Sequence, residues 1–136
     1  MVTIQEYLNN KYPTKEEKEQ VKEIIIGYST KKEARRLDEG ELNLSEYPNL
    51  KRVEIDGYYL KIKSKLTSLD LSNCSQLTSL NVHSNRLSHL DLSNCPNLKE
   101  LDCSNNSLSK LGLHPQAKLA SWISLKITSL NHIKTF

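Results

Sequence analysis

Residues 66–113 read LTSLDLSNCSQLTSLNVHSNRLSHLDLSNCPNLKELDCSNNSLSKLGL. Pairs of apolar residues, separated by one other residue, recur here at alternating steps of eleven and ten positions: Leu69/Leu71, Leu80/Val82, Leu90/Leu92, Leu101/Cys103 and Leu111/Leu113. Two steps give a period of twenty-one positions, at which the hexapeptide LDLSNC occurs twice. A fixed period of this length predicts stacked coils of chain, a solenoid, in place of a globule with one enclosed core.

The same pattern begins before residue 66 and fades after residue 113. The segment LNLSEYPNL at 42–50 aligns with LDLSNCPNL at 90–98. About six extra residues, KIKSK at 61–65 included, interrupt the period around Leu60 and Leu66, so the first coil is expected to carry a bulge or a loop. We therefore expect about three to four coils, near the minimum for a stable array.

Residues 1–40 are predicted to form three short helices. Each opens with a capping box, in which Glu follows Thr three positions later: Thr3–Glu6, Thr14–Glu17 and Thr30–Glu33. Apolar residues at helical spacing support the second helix, namely Val21, Ile24, Ile25 and Tyr28. Pro13 is expected to end the first helix and Gly40 the third. These helices would cap the first coil.

Cysteines and asparagines recur with the leucines. Cys74 and Cys95 are separated by one full period and are predicted to form a ladder of buried thiols, a disulfide between neighbouring coils being the alternative. Asn85 and Asn106 have the same spacing, and their side chains are expected to bond turn amides of successive coils. Tyr58 holds this position in the first coil, so the asparagine ladder should be interrupted there.

The motif L-x-x-L-x-L-x-x-N-x-L occurs at residues 77–87 (LTSLNVHSNRL) and, with Cys103 as the third apolar residue, at 98–108 (LKELDCSNNSL). Together with the repeat length, it resembles the leucine-rich repeat family. The likeness is to the short nested subtype with cysteine and asparagine ladders, known from internalin-like bacterial proteins and fungal repeat proteins. It covers residues 42–113, about half of the chain. It implies a fold, and a surface that binds proteins, peptides or other ligands through side chains that vary.

The prediction for the fold class is α+β, with a leucine-rich-repeat solenoid of about 3–4 coils and an N-terminal helical cap. The cap is assigned to residues 1–40, the repeats to 41–113, and an irregular C-terminal tail or cap to 114–136. The tail is apolar and holds the only Trp and the only Phe of the chain. Either its last strand or helix covers the open end of the array, or an exposed C-terminal edge leads to self-association.

Composition bounds the partner and the compartment. The 136 residues carry 19 basic and 16 acidic side chains, a net charge of +3, which is too small to indicate a polyanion such as nucleic acid. No run of about 20 apolar residues predicts a membrane span, and no secretory signal is evident at the N-terminus. We therefore expect a cytoplasmic protein without membrane or nucleic-acid partners.

The side chains between and after the paired leucines point outward and are the candidate binding residues. On the strands that correspond to the concave face of the family, positions 54, 81 and 102 should form one column, and positions 56, 83 and 104 the next. We expect a partner to contact Arg52, Glu54, Asp56, Asn81, His83, Glu100, Asp102 and Asn105. On the opposite strand, Asn43, Asp70 and Asp91 form another column, whose two aspartates hold a cation, meet a basic partner or are simply solvated.

Catalytic constellations are scarce in the sequence. His83 and Cys103 are the candidate base and nucleophile, but Cys103 occupies a core position. No C-x-x-C or H-x₃-H spacing predicts zinc, and no glycine-rich loop predicts phosphate binding, so we expect neither cofactor nor metal.

The predicted function is a non-catalytic recognition or adaptor module that binds a protein or peptide on its strand face. One alternative is a fragment of a larger leucine-rich-repeat receptor or effector whose activity lies elsewhere. The other is a metal- or thiol-dependent enzyme.

Overall fold

The computed structural model of the chain describes residues 2–34, 37–38, 40–61, 65–117, 125–126 and 133–135. The described helices are α1 (Ile4–Lys11), α2 (Lys15–Gln20) and α3 (Lys31–Ala34), with 3-10 turns at Tyr28–Thr30 and Gly57–Tyr59. The strands are β1 (Val2–Thr3), β2 (Glu23–Ile26), β3 (Leu37–Asp38), β4 (Glu41–Asn43), β5 (Arg52–Ile55), β6 (Ser68–Asp70), β7 (Ser79–Asn81), β8 (His89–Leu92), β9 (Glu100–Asp102), β10 (Lys110–Leu113), β11 (Leu125–Lys126) and β12 (Ile133–Thr135).

The first predicted helix is confirmed, together with its capping box. The Thr3 hydroxyl accepts a hydrogen bond from the Glu6 amide at 3.0 Å, and the Glu6 carboxylate accepts one from the Thr3 amide at 2.9 Å. α1 buries Ile4 and Leu8 and ends before Pro13, as the missing amide of proline requires.

The second predicted helix is wrong beyond Gln20, because residues 23–26 form strand β2. Ile24 and Ile26 are buried there, so the apolar side chains follow a period of two and not the predicted helical stripe. A run of three isoleucines favours a strand because two branches at Cβ restrict the side chain in a helix. Tyr28, the last residue of the predicted helical stripe, is 71% exposed.

The third predicted helix is only partly present, as the four residues of α3. The Thr30 hydroxyl does not cap it towards Glu33; it accepts a hydrogen bond from the Gly27 amide at 2.9 Å. Gly40 does not end this helix either, since β3 lies between them. A Cβ atom on Gly40 would lie 1.9 Å from the carbonyl oxygen of Lys65, so two backbones approach closely there.

Strand register expresses the sequence period directly. All strand pairs among the described residues are parallel. Ser79 lies opposite Glu100, one full period further along the chain. Arg52 lies opposite Ser79 at a longer separation, because the extra residues of the first repeat intervene. The strand orders are β11-β9-β7-β5-β2, β12-β10-β8, β4-β6 and β1-β3.

The predicted fold class is wrong. The described residues form a small α/β structure with parallel strands in several small sheets and few helices, and not an α+β leucine-rich-repeat solenoid of about 3–4 coils with a helical cap. An α+β fold keeps its helices and strands in separate parts of the chain. Here residues 1–40 contribute β1, β2 and β3, and β2 ends the five-stranded sheet, because its isoleucines extend into a strand.

The core consists of the inward side chains of the strands and of the turns between them. Both leucines of the register pair Leu80 and Leu101 are 1% exposed. Cys74, Cys95 and Cys103 are buried and free, so the predicted thiol ladder is present and the disulfide alternative is not. Burial of apolar side chains supplies most of the stability of such a fold.

The asparagine ladder is also present and is interrupted where predicted. Asn85 and Asn106 are buried, whereas Tyr58 at the corresponding position is 74% exposed. At the preceding residue, Gly57, a Cβ atom would lie 1.8 Å from the carbonyl oxygen of Ser84, so the two backbones approach closely there.

The division into residues 1–40, 41–113 and 114–136 stays a prediction. Most of the apolar tail lies outside the described residues, including Trp122 and Phe136, and so do residues 62–64 of the predicted loop. Self-association through the C-terminal edge also stays a prediction.

Candidate functional site

The outward side chains of the five-stranded sheet lie in columns. Glu54 lies opposite Asn81, and Asn81 opposite Asp102. Two positions earlier along the same strands, Arg52, Ser79 and Glu100 form a second column. Neighbouring strands lie about 4.8 Å apart, so each column brings side chains from distant parts of the sequence within reach of one ligand. We call this surface the strand face.

The strand face contains an open groove of about 630 Å³. Five of the eight predicted binding residues line it: Arg52, Glu54, Asn81, Glu100 and Asp102. Thr78 and Lys99 line it as well and were missed. The period contains the signal for them, since Lys99 follows Thr78 by one full period and each directly precedes a strand.

Weak polar contacts connect the side chains of the groove. The Arg52 guanidinium lies 3.6 Å from the Glu54 carboxylate and 3.9 Å from that of Glu23. The Asn81 side-chain amide donates to Glu54 at 3.5 Å, and the Ser79 hydroxyl donates to Glu100 at 3.4 Å. Contacts this long on half-exposed side chains hold them only loosely, so a ligand can replace them at small cost.

Two of the groove residues also support the backbone. The side-chain oxygen of Asn81 accepts a hydrogen bond from the His83 amide at 3.1 Å. In the same way Asp102 accepts from the Ser104 amide at 3.1 Å and from the Ser104 hydroxyl at 2.6 Å. Both are Asx turns, which end the strand and start the following turn. Glu54 and Glu100 do not form such turns, so their charges can be changed with less effect on folding.

Three predicted residues lie outside the groove. Asp56 and His83 follow β5 and β7 and form a pair, with Nε2 of His83 2.9 Å from a carboxylate oxygen of Asp56. Nδ1 of the same imidazole lies 2.9 Å from the Ser84 hydroxyl. Asn105 is exposed in a turn with φ of 55°, a left-handed conformation that asparagine tolerates better than most residues. These three belong to the rim of the strand face.

Three tyrosines lie on the same rim, of which Tyr28 and Tyr58 are exposed and Tyr59 is partly buried. Tyr28 follows β2, while Tyr58 and Tyr59 follow β5. The ring of Tyr59 packs edge-to-face against the rings of Tyr58 and Tyr28, with centroids 5.1 and 5.9 Å apart. The Tyr58 amide donates to the Asp56 carboxylate at 3.0 Å, which joins this group to the end of β5. We call Tyr28, Tyr58 and Tyr59 the tyrosine patch.

The predicted column on the opposite strands, Asn43, Asp70 and Asp91, consists of side chains that form turns. Asn43 lies opposite Asp70 in the β4–β6 sheet, while Asp91 lies in β8, which pairs with β10. The side-chain oxygens of Asn43, Asp70 and Asp91 each accept the amide two residues on, at 2.8 to 2.9 Å. Hydrogen bonds from the Ser72 hydroxyl and amide hold the pKa of Asp70 below its usual value. Each aspartate therefore has a structural partner already.

Metal-binding groups do not converge in the described part of the chain. Over these residues, no three His, Cys, Asp or Glu side chains are placed to hold one metal ion. Within that part, no third His, Cys, Asp or Glu side chain joins Asp70 and Asp91.

The thiols lie in the core and not on the strand face. Burial is the main cause that raises the pKa of Cys74 and Cys103 to about 12 and that of Cys95 to about 11. A nucleophilic cysteine is a thiolate at neutral pH and lies in an accessible, electropositive place. Cys103 points into the core, away from the groove, so it does not form a catalytic pair with His83.

Comparisons with known proteins give no match: no family model fits the sequence, and neither the curated proteins nor the solved structures contain a significant relative. The resemblance to leucine-rich repeats therefore stays a prediction from the motif. None of the helices in the described part of the chain has the length and apolar character needed to cross a membrane.

Proposed function

We propose that the chain is a non-catalytic recognition module, acting in the cytoplasm, that binds a protein or peptide partner on the strand face. The observation that carries this proposal is the register of Glu54, Asn81 and Asp102 on three parallel strands, beside a second column that starts at Arg52. The strands fix the backbone positions of these side chains. The hydrogen bonds among the side chains are long, at 3.4 to 3.5 Å, so a ligand can replace them.

The tyrosine patch supports the same surface. Among the described residues, the exposed large apolar side chains are Val2, Tyr28 and Tyr58, and two of these three belong to the rim of the strand face. Tyrosine is enriched at interface positions that contribute most to binding, because it offers a large apolar area and a polar end. Aromatic side chains are enriched at protein interfaces relative to the rest of the surface.

The resemblance of residues 42–113 to leucine-rich repeats agrees with this proposal, since that family binds ligands through outward side chains of its strands. The buried thiols with raised pKa favour it over the thiol-dependent enzyme.

A capture experiment with charge-reversed variants tests the proposal. The tagged full chain is incubated with a lysate of its source cells, and bound proteins are quantified by mass spectrometry. The double variant Glu54→Lys/Glu100→Lys reverses two groove charges, and Glu41→Lys makes the same change on the exposed side chain of β4. We expect one partner to be retained by the wild type and by Glu41→Lys and lost by the double variant. Equal retention by the double variant would place the site elsewhere.

A further inference from the structure

Three polar side chains at the rim of the strand face form one hydrogen-bonded series. Nε2 of His83 lies 2.9 Å from a carboxylate oxygen of Asp56, and Nδ1 of the same ring lies 2.9 Å from the hydroxyl oxygen of Ser84. An ionised carboxylate only accepts hydrogen bonds, so the neutral imidazole carries its proton on Nε2. Nδ1 is then an acceptor, and the Ser84 hydroxyl donates to it. A carboxylate that orients a base beside a hydroxyl is the arrangement that activates a serine.

The backbone holds these three groups in place. Asp56 accepts from the Tyr58 amide through Oδ1 at 3.0 Å, which leaves Oδ2 for His83. The Ser84 amide donates to the Ser104 carbonyl oxygen at 3.0 Å. The side chains of Asp56 and His83 are 15% and 26% exposed, and Ser84 is partly exposed. The hydroxyl is therefore held against its base in a place that a small molecule can reach.

Ser84 occupies a backbone position that does not favour serine. Its φ is 60°, in the left-handed region, and Asn105, one period later, has a φ of 55° in the equivalent turn. Asparagine tolerates this conformation better than serine does. A residue that departs from the local preference points to a role for its side chain. This observation is independent of the hydrogen bonds of the series.

A second serine–histidine pair in the chain lacks the carboxylate. The Ser88 hydroxyl lies 3.1 Å from Nδ1 of His89, and both residues are exposed. Over the described residues, no carboxylate forms an ion pair with His89. The His89 ring can therefore exchange its tautomers, whereas Asp56 fixes the tautomer of His83. Ser88 is thus an internal control for the effect of Asp56.

We propose that Ser84 is a modification site that accepts a small acyl group from a neutral thioester. Oγ of Ser84 attacks the carbonyl carbon, the O–C bond forms, and the C–S bond breaks with its electron pair on sulfur. The hydroxyl proton moves to Nδ1 of His83, and the imidazolium returns it to the thiolate. The products are a serine ester and a free thiol.

Neighbouring charges favour this donor over a phosphorylated one. The Asp56 carboxylate repels an anionic donor and leaves a neutral one unaffected. The Lys65 ammonium donates to the carbonyl oxygens of Gly57 and Ser84, the latter at 3.2 Å, so a positive charge lies beside the turn. Such a charge stabilises the negative acyl oxygen that develops during the attack.

The acyl group stays on the protein. A thiolate is a weaker base than the serine alkoxide and leaves more readily, so the ester forms faster than it is hydrolysed. The recognition module thereby gains a covalent mark at the rim of its binding surface, and no turnover is required.

Labelling with S-phenyl thioacetate, a neutral thioester, tests the proposal in the full chain. Protein and excess reagent are incubated at neutral pH without a partner, and samples quenched with acid are mapped by peptide mass spectrometry. We expect Ser84 to be acetylated at least about tenfold faster than Ser88 in the same molecules. Equal rates at the two serines, or acetylation confined to other side chains, would overturn the inference.

The variant Asp56→Asn tests the positioning role of the carboxylate. It retains an acceptor for the Tyr58 amide. Its side-chain amide donates to Nε2 of His83, so the ring proton moves to Nδ1, which can no longer accept from Ser84. We expect acetylation of Ser84 to fall at least about tenfold. The ¹⁵N chemical shifts of the ring should report the change of tautomer, which a merely structural role would not produce.

The variant Ser84→Asn introduces the residue that the equivalent turn carries, so we expect it to fold and to lose the label. An unchanged rate in Asp56→Asn would overturn the inference. Because no partner is present in these measurements, their failure leaves the proposed function of the strand face standing. Retention of the captured partner by Glu54→Lys/Glu100→Lys would overturn that function and leave the labelling of Ser84 unaffected.

Discussion

The side-chain oxygen of Asn85 accepts a hydrogen bond from the backbone amide of Leu66, 2.8 Å away, although the two residues are 19 positions apart. Asn106 stands in the same relation to Leu87, at 3.0 Å. The amide group of Asn85 also donates to the carbonyl oxygens of Ile55 and Val82, at 2.8 and 2.9 Å. One buried side chain thus satisfies backbone groups of successive turns, which cannot be reached by water.

Replacing Asn85 by alanine should destabilise the fold strongly. The change leaves the Leu66 amide and the Ile55 carbonyl without this partner, whereas the Val82 carbonyl keeps the hydrogen bond from Asn106; each buried unpaired group costs about 1 to 3 kcal/mol. We expect a loss of at least about 2 kcal/mol in the free energy of unfolding measured by urea denaturation. The exposed Asn94→Ala is the matched control. Equal unfolding midpoints for the two variants would contradict the role of the ladder.

Replacing Tyr47 by phenylalanine should not destabilise the fold. Tyr47 is fully buried, and its hydroxyl is the buried side-chain group without a hydrogen-bond partner among the described residues. Removing a polar group that has no partner relieves its desolvation cost. We therefore expect the free energy of unfolding to stay unchanged or to rise by up to about 1 to 2 kcal/mol. Thermal and urea unfolding measure this. A clear loss of stability would reveal a partner for the hydroxyl.

Substitutions at Asp102 should separate its charge from its turn. Asp102→Asn retains an oxygen for the Ser104 amide, so we expect a nearly unchanged melting temperature. Asp102→Lys removes that acceptor and should cost about 1 kcal/mol. Lysine at position 102 or 81 removes a turn acceptor and is therefore a poor test of binding, in contrast to changes at Glu54 and Glu100. Equal melting temperatures for the asparagine and lysine variants would contradict the role of the Asx turn.

Stability should fall as the pH rises from about 9 towards 12. Burial raises the pKa of the Cys74 thiol from 9.0 to about 12 and that of Tyr47 from 10.0 to about 12. The unfolded chain therefore loses these protons first, and their release favours unfolding. Below pH 9 both states hold the protons and the effect is absent.

Urea midpoints at several pH values measure this dependence, and Tyr47→Phe provides the control for the tyrosine part. In the native protein we also expect all three thiols to react slowly with an alkylating reagent at about pH 8. Labelling of native protein as fast as that of urea-unfolded protein would contradict the burial of the thiols.

The repeat region was predictable because two patterns with the same period, the leucines of the strands and the asparagines of the turns, must both fit the structure. The spacing of Leu80 and Leu101 fixed the strand register, and the equal spacing of Asn85 and Asn106 fixed the turns. A register slip of one residue would expose every leucine, so the pattern excludes alternatives.

Residues 1–40 were predicted less well because local and long-range preferences disagree there. Helical spacing of Val21, Ile24 and Tyr28 competes with the strand preference of the isoleucines, and only the presence of β5 as a partner decides between them. The same argument explains the wrong fold class, since β2 depends on β5 outside residues 1–40, and β1 pairs with β3 at the other end of that segment. The columns of the strand face could be predicted from the repeat period. The Asx turns formed by Asn81 and Asp102 could not.

The most direct test of the strand face as the binding surface is site-specific photo-crosslinking. A photoreactive amino acid replaces Ser79 in β7 or, as a matched control, Ser68 in β6; each serine begins a three-residue strand, in the five-stranded and the β4–β6 sheet respectively. Each full-length variant is irradiated in a lysate of the source cells, and crosslinked products are identified by mass spectrometry. The strand-face account predicts a specific crosslinked partner from position 79 and none from position 68. The same partner crosslinked from position 68 and not from position 79 would contradict it.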